Sequence, residues 1–286
     1  MTPEPAASSP LPAAHAYARG RGFSPWLYAL VRVVASGLLR CWFRVRIGGA
    51  DRIPARGPAI IAPNHKNFLD PFFVGIATPR PVRYMAKAGL LKGPLGWLLT
   101  RLGAFPVRRG EADADALATA RAILAGGGLV VLFPEGTRVE AADALGSPHH
   151  GAGRLAVETG APIIPAAVTG TSHLWRGALP RLKRVQITFL APVRPTSADG
   201  SAASARLIDE QVWPAVREEY GRLRASPGLI AAMLAAAGVG GGLVVRKRSR
   251  DRGAPRLLDK VQPRTLRRRT RRAKLFARAR APFRRR

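Results

Sequence analysis

Two short polar stretches carry the residue types from which an active site could be built. Asn64-His65-Lys66-Asn67-Phe68-Leu69-Asp70-Pro71 follows directly on the apolar run Pro58 to Ala62. A histidine that leaves the end of a strand, with an aspartate five residues on, can bring imidazole and carboxylate together across one tight loop. One ring nitrogen then takes a proton while Asp70 holds the other and stabilises the imidazolium that forms. The same spacing also fits a plain loop hydrogen bond or a helix cap. Further along the chain, Leu129 to Phe133 runs into Pro134-Glu135-Gly136-Thr137-Arg138. That loop offers a carboxylate, a flexible glycine, a hydroxyl and a guanidinium fork, a set suited to a substrate with hydroxyl and phosphate groups. Arg138 could instead pair with Glu135 and brace the loop.

Both stretches need strands behind them. Phe43 to Ile47, Pro58 to Ala62, Val82 to Ala86, Ala104 to Val107, Leu129 to Phe133, Ile163 to Val168 and Val185 to Leu190 are short apolar runs bounded by Gly, Pro and charge, and read as strands. Leu69 to Ala77, Leu90 to Leu102, Ala112 to Ala125, Gly153 to Thr159 and Ala202 to Arg224 read as helices. Such alternation predicts a single α/β domain, its sheet largely parallel and flanked by helices, with chemistry at loops beyond the carboxyl ends of strands.

The 286 residues are 47% hydrophobic, enough for a substantial core, but Lys+Arg total 47 against 17 Asp+Glu, a net charge of +30. Nineteen of those basic residues lie beyond Val245 against two acidic ones, so 246–286 reads as a disordered Arg-rich tail. The natural partners of such charge are an anionic membrane surface or nucleic acid. Ser24 to Phe43 is apolar over helical length, with Arg32, Ser36 and Arg40 on one face. An arginine in mid-segment argues against spanning, so 24–43 is expected to be an amphipathic helix lying in the headgroup region, or else a helix packed on the protein's own core. Residues 1–23 read as a flexible leader, 44–225 as the catalytic domain and 226–245 as an Ala/Gly-rich apolar segment short for a membrane span. The lone Cys41 excludes intrachain disulfides and multi-cysteine metal modules. His149, His150 and His173 have no acidic or cysteine partner at ligand spacing, so no metal site is expected. Gly126-Gly127-Gly128 precedes its strand and lacks a G-K-[ST] ending, so it reads as a turn.

N-H-x-x-x-x-D followed by F-P-E-G-T-R, in this order and separation, resembles the glycerolipid acyltransferase family that includes lysophosphatidic acid acyltransferases. Lys87-Ala88-Gly89-Leu90-Leu91 with Gly103-Ala104-Phe105-Pro106-Val107-Arg108-Arg109 looks like the family's second block, and Ala161-Pro162-Ile163-Ile164-Pro165-Ala166-Ala167-Val168 like its fourth. The resemblance spans about half the chain, from Arg44 to Pro195. It implies His65 as the base that deprotonates the acceptor hydroxyl and Asp70 as its orienting partner. It also implies Glu135, Gly136 and Thr137 in the acceptor site, and Arg138 near the phosphate with Lys87 and Arg109 as further candidates. Three departures bear on the acceptor: Asn67 where many members carry Ser, His150 where many carry Lys, and Arg108-Arg109 where an acidic residue commonly precedes Arg.

The implied reaction moves a fatty acyl group from acyl-CoA or acyl carrier protein to lysophosphatidic acid without a resident cofactor, at the cytoplasmic face of an anionic membrane. Another lysolipid or glycerol phosphate is the alternative acceptor. An alcohol attacking a thioester needs a base of near-neutral pKa, a place for the oxyanion and an anion clamp. No G-x-S-x-G elbow is present, so direct transfer is expected over a covalent acyl-enzyme. Nucleic-acid binding is the rival from another class. It rests on the tail alone, since the chain has no helix-turn-helix, zinc or RNA-binding signature. A catalytically idle membrane adaptor on the same fold is weakened by the presence of all motif residues.

Overall fold

Alternation along the central strands decides which residues meet which helices. In β2 (Ala59–Pro63), Ile60 and Ala62 enter one core layer while Ala59 and Ile61 enter the other. In β5 (Leu129–Val131), Val130 points to the first layer and Leu129 and Val131 to the second. Strands buried on both faces are what a parallel sheet covered by helices on either side requires. The computed structural model describes residues 10–20, 22–108, 113–177, 179–195 and 200–236.

Seven strands form the sheet: β1 (Arg44–Gly48), β2, β3 (Arg83–Lys87), β4 (Ala104–Val107), β5, β6 (Ile163–Thr169) and, late in the chain, β9 (Arg184–Phe189). Their spatial order is β1-β9-β6-β2-β5-β3-β4, and every neighbouring pair is parallel except β6 with β9. All seven runs that the sequence marks as strands are in it. Helices α3 (Asp70–Ala77), α4 (Gly93–Arg101), α5 (Ala114–Ala125) and α6 (Gly151–Thr159) fall where the helical periodicity places them.

Adjacent strands β2 and β5 send their following helices to opposite faces. Phe73, Val74, Ile76 and Ala77 of α3 enter one core layer, whereas Ala152, Leu155 and Ala156 of α6 enter the other. The chain therefore parts above the carboxyl ends of β2 and β5 and leaves a crevice there, between the 64–70 and 133–138 loops.

Three segments differ from expectation. Residues 10–19, read as part of a flexible leader, form helix α1 (Pro10–Arg19), because its apolar side docks on the domain. Ala18 joins the core, His15 Nδ1 meets Thr119 Oγ1 at 2.8 Å, and the Arg83 guanidinium donates to the Ala18 carbonyl at 2.8 Å. The last helix is longer than the sequence suggests: α7 (Ser201–Arg206) passes through a π-helical stretch, Leu207–Val212, into α8 (Trp213–Ala236). A two-stranded hairpin, β7 (Trp175–Arg176) with β8 (Leu179–Pro180), joins β6 to β9 where no element was expected.

Helix α2 (Pro25–Trp42) realises the 24–43 helix, packing Ala35 and Leu39 on the core with Arg32 beside them, while Arg40 of the polar stripe is exposed. Leu27 and Tyr28 are buried and Arg32 donates to the Thr78 carbonyl, while Trp26, Leu30, Val33, Val34, Leu38 and Trp42 face outward. Among the described residues no helix is long and apolar enough to cross a membrane. The apolar segment 226–245 is described only as far as Ala236, and the Arg-rich tail lies outside the described residues.

Candidate active site

His65 leaves the carboxyl end of β2 and is held there from every side. Asn64 anchors the preceding residue to β6, its amide donating to the Val168 carbonyl at 3.0 Å and its oxygen accepting the Val168 N–H at 2.7 Å. Asp70 opens α3, fully buried, and one carboxylate oxygen gathers three donors. His65 Nδ1 lies 3.0 Å from Oδ2, and the backbone N–H groups of Lys66 and Asn67 reach the same atom at 2.6 and 2.7 Å. A carboxylate oxygen in this place accepts, so the neutral tautomer it favours carries the hydrogen on Nδ1 and leaves the Nε2 lone pair for a proton. The imidazole stacks on Phe133 with ring centroids 4.1 Å apart, which fixes the ring plane.

Glu135 ties the two loops together. Its Oε2 accepts the His65 N–H at 2.5 Å and its Oε1 accepts the Gly146 N–H at 2.7 Å. Burial pushes this carboxyl above its ordinary pKa, and the two amides pull it part of the way back. Glu135 thus works through the backbone it holds, and its carboxylate engages amides where the bracing alternative had it pair with Arg138. Gly136 sits at φ 65°, a conformation that favours glycine, and a Cβ there would come within 2.9 Å of the His149 ring. Thr137 and Arg138 project beyond it, both exposed. Their loop is fastened by the Val139 N–H, which donates to the His65 carbonyl at 2.9 Å.

Lys87, the last residue of β3, is exposed at the same carboxyl edge of the sheet. Arg108 turns to Asp113, whose carboxylate accepts its backbone N–H at 2.7 Å, and Arg109 lies outside the described residues. His150 Nε2 lies 2.9 Å from the Asp209 carboxylate of the π-helical stretch.

Sequence reasoning passed over Lys66 and Tyr220. Lys66 is only 4% exposed and donates from Nζ to the carbonyls of Ala141 and Ala144, with the ammonium 5.3 Å from the centre of the Tyr220 ring. Burial pushes its pKa below the usual lysine value. The Tyr220 hydroxyl donates to the Ala142 carbonyl at 2.7 Å. Together they clamp the 141–146 loop that delivers the Gly146 N–H to Glu135. A lysine next to the motif histidine is the one available cue for this clamp, and nothing in the sequence marks its aromatic partner.

A buried His–Asp pair with a free Nε2, beside a loop carrying an exposed arginine, can take a proton from a hydroxyl whose anionic substituent that arginine holds. Residues 44–169 match the family model described as Acyltransferase. This segment is an acyltransferase-family domain. Over 185 residues the chain is 27% identical to a chloroplastic 1-acyl-sn-glycerol-3-phosphate acyltransferase of Arabidopsis thaliana, covering 62% of this chain and 51% of the relative. It is 32% identical over 130 residues to the 1-acyl-sn-glycerol-3-phosphate acyltransferase of Bacillus subtilis, covering 45% and 64%. The chain thus spans about half the length of the plant relative and under two thirds of the bacterial one. The crystal structure of the 1-acyl-sn-glycerophosphate acyltransferase PlsC from Thermotoga maritima shares the fold, with TM-score 0.59 and 23% identity, covering 69% of this chain and 80% of that one. The acyltransferase domain contributes both loops of the crevice, from β1 to the end of β6, while Tyr220 lies outside it.

Proposed function

We propose that the chain transfers a fatty acyl group from an acyl thioester, carried on coenzyme A or acyl carrier protein, to the free hydroxyl of 1-acylglycerol 3-phosphate, giving phosphatidic acid. The observation that carries this reading is the oriented His65–Asp70 pair at the crevice between the two motif loops. Relatives named for this acceptor support it.

In the proposed reaction the acceptor hydroxyl oxygen attacks the thioester carbonyl carbon while His65 Nε2 takes the hydroxyl proton. Collapse of the tetrahedral intermediate breaks the carbon–sulfur bond, and the imidazolium returns the proton to the departing thiolate. Asp70 steadies the transient imidazolium, and no group on the protein need be acylated. Arg138 clamps the acceptor phosphate, with Lys87 and Arg109 as further cations for it. Gly136 and Thr137 line the acceptor side, and Glu135 with Lys66 keeps the loops in register.

The acceptor resides in a bilayer, and the outward face of α2 suits the level of the headgroups. It presents Trp26 and Trp42 near its two ends with Leu30, Val33 and Leu38 between, and Val33 is 71% exposed. An anionic cytoplasmic leaflet would complement the net positive charge.

The test is mass spectrometry of products formed by the purified protein in lipid vesicles, with a panel of lysolipids and glycerol phosphate and with both donor types. Phosphatidic acid as the main product is the expected result, and absence of any acyl ester with every acceptor and donor would overturn the reading.

A further inference from the structure

The hairpin that joins β6 to β9 carries exposed apolar side chains on a fixed base. Its base is fixed: Leu174 is fully buried, the Arg181 N–H donates to the Leu174 carbonyl at 2.6 Å, and Lys183 Nζ donates to the Ser172 carbonyl at 2.8 Å. Its two strands pair Trp175 with Pro180 and Arg176 with Leu179, and Gly177 lies at φ 62°. On the outer side of the hairpin two apolar side chains stand in water, Leu179 at 68% and Leu182 at 73% exposure. Residues 174–184 hold four basic side chains and no acidic one.

Two contacts place this hairpin. The Trp42 indole, at the end of α2, donates to the Pro180 carbonyl at 3.1 Å, so the hairpin continues the outward apolar face of that helix. Trp175 stacks on Phe68 with centroids 5.6 Å apart and planes inclined by 12°, and Phe68 belongs to the loop between His65 and Asp70. The hairpin therefore connects the apolar face of α2 to the edge of the crevice.

We infer that the 174–184 hairpin is a membrane-docking element, with Leu179 and Leu182 entering the acyl boundary of a bilayer and Arg176, Arg181 and Arg184 engaging its anionic headgroups. A bilayer is the partner that accepts both halves of this chemistry, because it offers hydrocarbon to the leucines and phosphate to the arginines a few ångströms away. Tryptophans 42 and 175 sit where such side chains favour the interfacial level. An acidic protein would complement the arginines but would leave Leu179, Leu182 and the adjoining face of α2 in water. The inference builds on the proposed use of a bilayer-borne acceptor, and gives a reason for the Phe68–Trp175 stack: it fixes the crevice beside the lipid surface.

The test uses the full chain and vesicles of phosphatidylcholine alone or mixed equally with phosphatidylglycerol. Leu179→Asp/Leu182→Asp should weaken cosedimentation with both kinds of vesicle by roughly tenfold or more. Arg176→Glu/Arg181→Glu should weaken it on the anionic vesicles alone and flatten its salt dependence. Circular dichroism should be unchanged in both. In a Cys41→Ser background, an environment-sensitive fluorophore on Leu179→Cys should shift to the blue on adding vesicles. Wild-type cosedimentation by the aspartate variant, or a fluorophore that stays in water, would overturn the inference. So would vesicle binding that survives in both variants while binding to an acidic acyl carrier protein is lost. Activity on a dispersed short-chain acceptor should be retained by both variants. Because the vesicle readouts need no catalysis, an inactive wild type would defeat the functional proposal and leave this inference standing or falling by itself.

Discussion

The crevice loops and the outward face of α2 with its neighbouring hairpin are opposites in how they treat their side chains. At the crevice, Asp70 and Glu135 are buried carboxylates that together gather the His65 imidazole and four backbone N–H groups. At the other region, large apolar side chains stand in water with little around them. A buried polar network rigidifies when satisfied, and a broad exposed apolar surface marks an interaction site. The first region finds its contacts within the chain, with only Asp70 Oδ1 left without a hydrogen-bond partner among the described residues. The second leaves its apolar side chains exposed, and the Phe68–Trp175 stack is where the two meet.

The sharpest way to break the crevice is to remove its base. His65→Ala should lower transfer by roughly 100-fold to 10,000-fold, read as initial rate on vesicle-borne acceptor. The fold should survive, since the backbone N–H of residue 65 still donates to Glu135. Asp70→Asn should retain more activity than His65→Ala but lose stability by about 1–3 kcal/mol, because the charge that three donors share is lost and the amide NH2 takes the buried place of Oδ1, where no acceptor meets it. Denaturant melts of both variants separate the catalytic loss from the structural one. Wild-type turnover by a folded His65→Ala protein would end the base assignment.

Next in size is the brace. Glu135→Ala leaves the N–H groups of His65 and Gly146 without their acceptor, at a cost of about 1–3 kcal/mol each if both stay buried. The milder Glu135→Gln carries a pH signature. Burial raises the Glu135 pKa in the folded chain. Between the ordinary glutamate value and the raised one, the folded chain keeps a proton that the unfolded chain has released, so this carboxyl's contribution to stability falls as pH rises through the window. The stability gap between wild type and Glu135→Gln should therefore be larger below the window and narrow above it, as thermal melts across mildly acidic pH will read. A gap that widens with pH would contradict the burial that sets the direction.

Much of this contrast is visible in the sequence. The strands announce themselves because a buried parallel sheet needs continuous apolar runs, and 59–63 and 163–169 are wholly buried. The His65 to Asp70 spacing is legible because both partners lie in one loop, so no long-range placement is needed. Lys66 with Tyr220 is illegible for the converse reason, since a contact across more than 150 residues leaves no local period. The direction of α2 is half legible. Its Arg32, Ser36 and Arg40 stripe marks an amphipathic helix, but periodicity alone does not say which face the core takes. The structure turns Arg32 toward the Thr78 carbonyl, packs Ala35 and Leu39 on the core, and leaves Leu30, Val33, Val34 and Leu38 outside. The leader helix is missed because Pro, Ala and Ser composition resembles a linker, while burial of Ala18 and the His15–Thr119 contact decides its order.

Smaller effects are expected at the crevice rim. Arg138→Ala should raise the apparent KM for a phosphate-bearing acceptor by roughly tenfold while moving donor KM little, as loss of one charged hydrogen bond is worth about 1.5–3 kcal/mol at most. Steady-state kinetics with the acceptor and its dephosphorylated analogue will check it. An unchanged preference for phosphate would move the clamp to Lys87 or Arg109.

The smallest effect is expected where neither region reaches. His150 occupies the position before Gly151 at which many family members carry lysine, yet its ring lies 2.9 Å from Asp209. Both side chains are about half exposed, 48% and 50%, so water screens the pair and their separation costs little. His150→Ala should shift stability by less than about 0.5 kcal/mol and leave vesicle binding unchanged. His150→Lys should behave alike in melts, since an ammonium can still meet Asp209. If acceptor KM falls in the lysine variant alone, the rim of the crevice extends to residue 150, and the phosphate clamp includes the amino end of α6. If KM is the same in all three proteins, the pair only fastens α6 to the π-helical stretch, and the clamp is confined to the loop that Glu135 holds.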